Sequence, residues 1–265
     1  MTQARVLIVA GSDSGGGAGI QGDIKTVTVL GGYAATALAA LTVQNTLGVS
    51  DILPVPAAFV AAQMRAVLGD IGADAVKIGM LGTAEVMTAV ADVLESVTCP
   101  VVLDPVMVAK GGASLMAADA RGLLLDRLVP MATLVTPNAP ELAALSGMPA
   151  TTAAYALAAG RALAAKGTAV LVKGGHLDGD PVIDTLIEPD GREHRFTSPR
   201  QHTAHTHGTG CALASAVATG LAQGMALVQA TARAHAFVAA AIRAAPGLGR
   251  GHGPLGHLEG ARALV

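Results

Sequence analysis

Aromatic residues are almost missing from this sequence. It contains no tryptophan, two tyrosines and three phenylalanines, although 52% of its 265 residues are hydrophobic. The core must therefore be built from alanine, valine, leucine and isoleucine, which suits buried parallel strands covered by alanine-rich helices. Clusters of lysine and arginine are missing too, and the formal net charge is -2. Nucleic acid is not expected as the main partner, because binding a phosphate backbone requires clustered positive charge.

Cysteines and long apolar segments are equally scarce. The two cysteines, Cys99 and Cys211, form neither a Cys-x-x-Cys pair nor a disulfide framework, which favours a reducing compartment. No uninterrupted apolar segment approaches the roughly 20 residues of a membrane span. Residues 1–9 lead directly into a predicted strand and do not follow the plan of a signal peptide. We therefore expect a cytoplasmic protein that does not act at a membrane.

Short apolar segments alternate with longer helical patterns, which predicts an α/β fold with a mainly parallel sheet. Strands are predicted at Arg5–Ala10, Ala75–Ile78, Val101–Leu103, Thr133–Val135 and Ala169–Val172. Helices are predicted at Ala57–Leu68, Thr83–Ser96, Ala117–Leu128, Thr152–Lys166, Thr209–Gln223 and Leu227–Ala244. A Pro-Asp-Gly turn at 189–191 predicts a hairpin between strands Val182–Glu188 and His194–Thr197. Neither a repeat nor a linker divides the sequence, so we expect one domain over residues 1–265.

Polar and glycine-rich segments follow the predicted strands. They are Gly11–Gly19, Gly79-Met80, Asp104-Pro105, Thr136–Asn138 and Lys173–Gly175. In open α/β sheets, ligands bind beyond the carboxyl ends of the strands. We therefore expect these segments to form the rim of one active site.

The segment Gly208-Thr209-Gly210-Cys211 stands where a predicted helix begins. Glycines let the backbone turn tightly, and the amides of a helix N-terminus attract anions. Such a turn could stabilise a phosphoryl group during transfer. The same field should lower the pKa of the Cys211 thiol and favour a thiolate that acts as general base. On these residues alone, a glycine-rich helix start with an inert buried cysteine is an equally good interpretation.

Gly17, Gly19 and Gly22 match the dinucleotide-binding pattern Gly-x-Gly-x-x-Gly after a strand. That pattern expects an acidic residue about 20 positions later, and none occurs between Asp23 and Asp51. A P-loop is excluded because Gly-Lys-Ser/Thr does not occur. The segment is then a structural turn or a loop that closes over a small substrate. A nicotinamide-dependent oxidoreductase is kept as the alternative from a different class.

Two carboxylates at the expected rim, Asp104 and Glu141, could bind Mg²⁺, which prefers oxygen ligands and keeps several waters. Each also has an ordinary explanation, as a turn cap or as a first-turn helix charge. The neighbouring His202, His205 and His207 are poor zinc candidates, because neither cysteine is spaced to complete a site.

The order of these motifs matches one family. The matching segments, which cover nearly the whole chain, are Ala10–Gln21, Thr42–Thr46, Lys77–Gly82, Leu103–Gly112, Val135–Asn138 with Glu141, Val172–His176, His205–Cys211 and Gly251–Pro254. In them the sequence resembles the hydroxymethylpyrimidine/phosphomethylpyrimidine kinases of thiamine biosynthesis, in the ribokinase-like superfamily. Pyridoxal kinases of that superfamily generally carry aspartate at the position of Cys211.

The resemblance implies a ribokinase-like three-layer α/β/α fold with a mainly parallel central sheet, a homodimer, and ATP and Mg²⁺ as co-reactants. It also implies two successive reactions. The first phosphorylates 4-amino-5-hydroxymethyl-2-methylpyrimidine to its monophosphate, and the second phosphorylates that product to the diphosphate.

Site residues are carried over from the resemblance by position. Substrate contacts fall on Gln44, Asp23, Met80 and Gly11, and from its glycine-flanked loop we infer a phosphate contact for Lys110. Nucleotide contacts fall on Lys173, Thr206 and Thr209, magnesium on Asp104 and Glu141, and catalysis on Gly208, Gly210 and Cys211. A pyridoxal or pyridoxine kinase is the nearest alternative, because the two kinds of pocket are alike in size.

Overall fold

The computed structural model describes residues 3–108, 112, 115 and 120–264. Its central feature is an eight-stranded sheet with the order β10-β9-β8-β7-β6-β5-β1-β2. These strands are β1 Arg5–Ala10, β2 Tyr33–Leu38, β5 Ala75–Ile78, β6 Val101–Leu103, β7 Leu134–Val135, β8 Ala169–Val172, β9 Val182–Ile187 and β10 Glu193–Ser198. β9 pairs antiparallel with both β8 and β10, and the six strands from β8 to β2 in the sheet order are parallel to one another. The mainly parallel sheet is confirmed.

Helices cover both faces of the sheet. They are α1 Gly19–Val29, α2 Ala57–Asp70, α3 Ala84–Leu94, α4 Ala120–Leu123, α5 Ala139–Ser146, α6 Ala153–Ala164, α7 Thr209–Ala222, α8 Leu227–Arg243 and α9 His257–Arg262. Helices α2 to α6 pack on one face, and α1, α7 and α8 pack on the other. The three-layer α/β/α architecture follows directly. No helix in the described part of the chain is long and apolar enough to cross a membrane.

Successive residues of one strand serve opposite cores, as the period of two in a strand requires. In β1, Leu7 and Val9 belong to the core beneath α2 and α3. Val6 and Ile8 belong to the core beneath α1 and α7. All four are fully buried, and each buried aliphatic side chain contributes about 1.5–3 kcal/mol. Because the sheet is buried on both faces, its strands are continuous apolar segments in the sequence.

The predicted strands and the β9–β10 hairpin are present, with shifts of one or two residues at some ends. The predicted helix Ala117–Leu128 is observed as α4 followed by a π-helical turn at Leu124–Leu128, and its first three residues lie outside the described part. The sequence analysis missed β2 and the separate two-stranded sheet of β3 Ala40–Asn45 and β4 Gly48–Pro54. Most side chains of β3 and β4 are at least partly exposed, so these strands lack the apolar signature of the central ones.

The β3–β4 hairpin is attached to the loop after β1. The amide of Ser12 donates to the carbonyl of Ala40 (2.8 Å), and the Thr42 hydroxyl donates to the carbonyl of Ser12 (2.9 Å). Ser14 Oγ also bonds both the amide and the carbonyl of Gln44, each at 2.8 Å. The hairpin is thereby held beside the carboxyl ends of the strands.

Candidate active site

A cleft of about 930 Å³ lies at the carboxyl ends of the parallel strands. Each neighbouring strand end contributes to its wall, as expected for an open α/β sheet. The contributing residues include Gly11 after β1, Lys77 and Met80 at β5, Asp104 after β6, Asn138 and Glu141 after β7, and Lys173 after β8. The segments predicted to form one rim do form it.

The start of helix α7 opens into this cleft. Gly208 is the N-cap residue with a left-handed φ of 82°, and a Cβ there would overlap the carbonyl of Gly17. The amides of Gly210 and Cys211 donate to no acceptor among the described residues, and the Thr209 amide makes only a long bond of 3.4 Å to Thr206. Unpaired amides at a helix N-terminus form an anion-binding site. Thr206 and Thr209 both line the cleft beside it.

Lys173 and Asp104 stand beside this anion site. A Cβ on Gly210 would lie 3.3 Å from Lys173 Nζ and 3.4 Å from Asp104 Oδ2. Lys173 Nζ lies 3.2 Å from Asp104 Oδ1, which also accepts from the Thr136 hydroxyl (3.0 Å). Burial opposes the charge on Lys173, but the Asp104 and Glu141 carboxylates outweigh it and raise its pKa. Lys173 is therefore a cation that can pair with phosphate oxygens.

Glu141 closes a capping box at the start of α5. Its Oε2 accepts from the Asn138 amide (2.8 Å), and its own amide donates to Asn138 Oδ1 (2.9 Å). Burial raises the pKa of Glu141 to about 7, with Lys173 acting against the shift and Asp104 adding to it. Lys173 therefore offsets only part of the cost of burying the charge on the Glu141 carboxylate.

Asp104 and Glu141 fit a magnesium ion. Both are oxygen donors that line the cleft, and the raised pKa of Glu141 shows that a further positive charge would be favourable there. The described residues contain no group of three or more His, Cys, Asp and Glu side chains arranged around a metal. An ion held by two carboxylates would keep several waters, which is usual for Mg²⁺.

The predicted low pKa of Cys211 is wrong. Burial raises the pKa of its thiol to about 12, although Lys77 and a hydrogen bond from the Gly19 amide act in the opposite direction. Desolvation of the thiolate outweighs the helix field, although Cys211 lines the cleft and is only partly buried. In the resting protein Cys211 is a neutral thiol.

The predicted substrate contact of Asp23 is also wrong. Asp23 is fully buried and does not belong to the cleft lining. Its carboxylate accepts from Lys77 Nζ and from the Ser215 hydroxyl, each at 2.7 Å. Lys77 lines the cleft in its place, and the sequence analysis gave it no role. The sequence did indicate that Lys77 is special, because a lysine inside the apolar strand Ala75–Ile78 needs a buried partner.

Gln44, Met80 and Gly11 all line the cleft, and their role as substrate contacts stays a prediction. A Cβ on Gly11 would lie 2.6 Å from Met80 Cε, so glycine is needed for this methionine to occupy its position. Gln44 Oε1 lies 3.2 Å from the Thr42 hydroxyl. The side-chain nitrogen of Gln44, Nε2, lies 3.4 Å from His207 Nε2. The end of the cleft that they form offers an apolar wall and one polar amide, which suits a small heteroaromatic ring.

Asp13 organises the glycine-rich loop. Its carboxylate accepts from the amides of Gly15, Gly17 and Ala18 at 2.8–3.0 Å and lies 2.8 Å from His207 Nε2. Burial opposes ionisation, but these hydrogen bonds together lower the pKa of Asp13. The loop amides that a dinucleotide pyrophosphate would require are therefore already used. Sequence reasoning missed both Asp13 and His207.

The other end of the cleft is a mainly apolar slot beyond Lys173. Val238, Ala239 and Ile242 line it from one face of α8, and Val182 lines it from β9. Lys110, predicted to contact a phosphate, lies outside the described residues.

The rim of the parallel sheet brings together free helix-start amides, a buried lysine and two carboxylates. These are the groups that phosphate transfer requires. The site therefore defines the protein as a phosphate-transferring α/β enzyme. Residues 13–256 match the phosphomethylpyrimidine kinase family. The chain belongs to that family.

Proteins similar to this chain include two kinases and one longer bifunctional protein. The chain is 44% identical to a hydroxymethylpyrimidine/phosphomethylpyrimidine kinase of Haemophilus influenzae, with 96% of each chain covered. It is 42% identical to that of Escherichia coli, with 98% and 99% covered. It is 54% identical to a thiamine biosynthesis bifunctional protein of Geobacter sulfurreducens over 96% of this chain, which spans only 52% of that longer protein.

Solved structures share the fold. An ADP complex of Bacillus subtilis pyridoxal kinase matches with a TM-score of 0.90 and 33% identity, covering 97% of this chain and 98% of that one. Phosphomethylpyrimidine kinase from Clostridium difficile matches with a TM-score of 0.79 and 33% identity, covering 89% and 98%. These similarities confirm the ribokinase-like fold.

Proposed function

We propose that this protein is an ATP-dependent kinase that phosphorylates 4-amino-5-hydroxymethyl-2-methylpyrimidine and then the resulting monophosphate. The observation that carries the proposal is the pair of unpaired amides at Gly210 and Cys211, with Lys173 and Asp104 close to Gly210. Family membership over residues 13–256 supports the same reaction. We also propose that the whole chain acts as one kinase domain, since the cleft is lined by residues from Gly11 after β1 to Ile242 on α8.

The two ends of the cleft suit the two substrates. We assign the pyrimidine to the end formed by Gln44, Met80 and Gly11, because an amide offers both a donor and an acceptor to an aminopyrimidine edge. We assign the nucleotide to the apolar slot beyond Lys173, since related kinases were solved with ADP and with AMP-PCP. The γ-phosphate then lies between the ends, at the start of α7.

In phosphoryl transfer the substrate oxygen bonds to the γ-phosphorus while the bond to the leaving ADP oxygen breaks. The amides of Gly210 and Cys211 bind the equatorial oxygens, and Lys173 neutralises negative charge on the phosphates. Asp104 and Glu141 would hold Mg²⁺, which neutralises phosphate charge when bound. The hydroxyl proton leaves late in a loose transition state, and we propose the Cys211 thiolate, formed when the thiol releases its own proton to solvent, as the acceptor.

A coupled assay of ADP release tests the proposal. We expect release with the hydroxymethylpyrimidine and, separately, with its monophosphate. ADP release with neither compound would refute the assignment. Pyridoxal is the second candidate substrate, favoured by the TM-score of 0.90 to a pyridoxal kinase. A higher kcat/KM for pyridoxal than for the pyrimidine, at one ATP concentration, would establish that alternative.

We further propose a cytoplasmic homodimer, and two free cysteines are in keeping with a reducing compartment. The β3–β4 hairpin supports the dimer, because Leu41 and Leu53 are paired across it and both are exposed. Val43 on the same strand is 59% exposed. Sedimentation equilibrium should give twice the monomer mass, and Leu53→Lys should reduce it toward the monomer. A monomeric wild-type protein would contradict this proposal.

A further inference from the structure

Among the described residues, the Asp13 carboxylate receives one hydrogen bond from outside its own loop. Three of its donors are loop amides, those of Gly15, Gly17 and Ala18. The fourth is Nε2 of His207, which lies 194 positions away in the sequence and 2.8 Å from Asp13 Oδ2. An ionised carboxylate only accepts hydrogen bonds, so the proton between the two groups lies on His207 Nε2. Both residues are buried, and a hydrogen bond to an ionised acceptor is among the stronger ones.

The position of the His207 ring is fixed by its neighbours. A Cβ on Gly17 would lie 2.6 Å from His207 Cδ2, so the ring lies directly against the glycine-rich loop, residues 11–19. The backbone amide of His207 donates to the Gly253 carbonyl at 3.1 Å. Gln44 Nε2 lies 3.4 Å from His207 Nε2, but both atoms carry protons and do not bond each other. Asp13 is therefore the acceptor that holds His207 Nε2.

His207 directly precedes the anion site. The next residue, Gly208, is the N-cap of α7, and it lies so close to the Gly17 carbonyl that a Cβ would not fit. Further along the same turn, the Gly19 amide donates a hydrogen bond to the Cys211 sulfur. The glycine-rich loop thus follows the first turn of α7, where the free amides lie. Any movement of the loop relative to His207 would therefore disturb these amides.

We propose that Asp13 and His207 are positioning residues for phosphoryl transfer. Their hydrogen bond attaches the glycine-rich loop to the residue before α7 and so fixes the direction of the Gly210 and Cys211 amides before a ligand binds. Fixed donors stabilise a transition state better than mobile donors, because they need no reorganisation during the reaction. The inference rests on the proposed function for the identity of the group that these amides bind. It requires no contact between the substrate and either Asp13 or His207.

Titration with inorganic phosphate, followed by NMR, tests the fixed amides without any turnover. In the wild-type protein, the amide signals of Gly210 and Cys211 should shift and saturate as phosphate is added. His207→Leu removes the donor and should weaken phosphate binding by roughly 5-fold or more, the value of about one hydrogen bond. His207→Gln should keep the wild-type affinity, because its amide nitrogen lies as many bonds from the backbone as histidine Nε2 and can donate to Asp13.

Turnover provides a second measurement. With ATP and the hydroxymethylpyrimidine, His207→Leu should lower kcat by roughly 10²-fold and change both KM values little, and His207→Gln should recover most of the loss. In an Asp13→Ala background, His207→Leu should add little, since two residues that act through one contact are not additive. A wild-type protein without turnover would refute the proposed function, and the phosphate titration would still decide this inference.

The chain contains a matched control. His194 pairs with Glu188 at 2.8 Å on the β9–β10 hairpin and does not belong to the cleft lining, so His194→Leu should change neither phosphate binding nor kcat. Thermal unfolding checks that each variant is folded. If His207→Leu does not fold, His207→Asn replaces it, because its shorter amide does not reach Asp13.

Three results would overturn the proposal. The first is a wild-type phosphate affinity in His207→Leu, or no response of the Gly210 and Cys211 amides to phosphate in the wild-type protein. The second is a His207→Gln variant that is as impaired as His207→Leu, since the hydrogen bond to Asp13 would then not matter. The third is a rise in the KM for the pyrimidine with kcat unchanged, which would make His207 a substrate contact.

Discussion

Lys77 and Asp23 form an ion pair in which both side chains are fully buried and Nζ lies 2.7 Å from Oδ2. The Ser215 hydroxyl donates to the other carboxylate oxygen at 2.7 Å, so the pair joins β5, α1 and α7 beneath the anion site. Burial opposes the charge on Lys77, but the Asp23 carboxylate raises its pKa and keeps it a cation. Lys77 lowers the pKa of the Cys211 thiol, whereas the Asp23 carboxylate raises it, so the two members of the pair act on this residue in opposite directions.

Removing one partner of this pair should destabilise the protein strongly. Lys77→Met leaves a buried carboxylate without its cation and should lower the free energy of unfolding by about 3–5 kcal/mol. The double variant Lys77→Met with Asp23→Leu should recover most of that loss. Urea unfolding measures both. The control is Arg127→Met, whose exposed pairs with Asp92 and Glu95 should contribute about 1 kcal/mol or less. Equal costs for Lys77→Met and Arg127→Met would contradict this account.

Replacement of Cys211 should affect turnover far more than binding. If the thiol accepts the substrate proton, Cys211→Ala should lower kcat by about 10²–10⁴-fold and change the KM values little. Because the pKa of the thiol is raised to about 12 by burial, wild-type kcat should rise with pH from 7 to 9. Cys211→Ala should lose that rise. The other free cysteine, Cys99, provides the control Cys99→Ala. Near wild-type turnover in Cys211→Ala would mean that Cys211 contributes only to packing and does not accept the proton.

The raised pKa of Glu141 predicts a pH dependence of stability. Its value of about 7 in the folded protein lies above the ordinary 4.5, so the folded state binds more protons between these two values. Stability from this group is then complete below pH 4.5 and is lost as the pH rises to 7, by up to about 3 kcal/mol.

Glu141→Gln should remove this pH dependence while keeping the capping interaction, since glutamine also serves in a capping box. Thermal unfolding at pH 5 and pH 7.5 measures the difference for both proteins. An equal difference in wild-type and variant would mean that Glu141 does not titrate in this range. Addition of Mg²⁺ should stabilise the wild-type protein at pH 7.5 more than the variant.

Gly11→Ala should impair pyrimidine binding without unfolding the protein. The new Cβ would lie 2.6 Å from Met80 Cε, the flexible end of a side chain, so the methionine can move at modest cost. It must then move within the substrate end of the cleft, which should raise the KM for the pyrimidine and leave the KM for ATP unchanged. Gly69→Ala on α2 is the control, because no atom lies within 4 Å of its Cβ position. A rise in the KM for ATP alone would place the pyrimidine elsewhere.

The sequence by itself determined five of the six parallel strands, the family and many of the residues around the cleft. Each has a local signature: an apolar segment buried on both faces, a glycine pair at a helix start, a polar residue directly after a strand. Asp104, Lys173 and Gly208–Cys211 could be located at the cleft in this way, whereas Gln44 and Met80 were assigned only through the family resemblance.

Only the tertiary structure decided the charge states and the buried partners. The thiol of Cys211 is neutral because desolvation exceeds the helix field, and Asp23 binds Lys77 because folding brings two residues that are 54 positions apart to within 2.7 Å. The Asp184–His235 pair likewise joins residues 51 positions apart. Burial and long-range pairing arise from how the elements pack, and electrostatic energies depend on distance and solvent exposure, which sequence spacing does not contain.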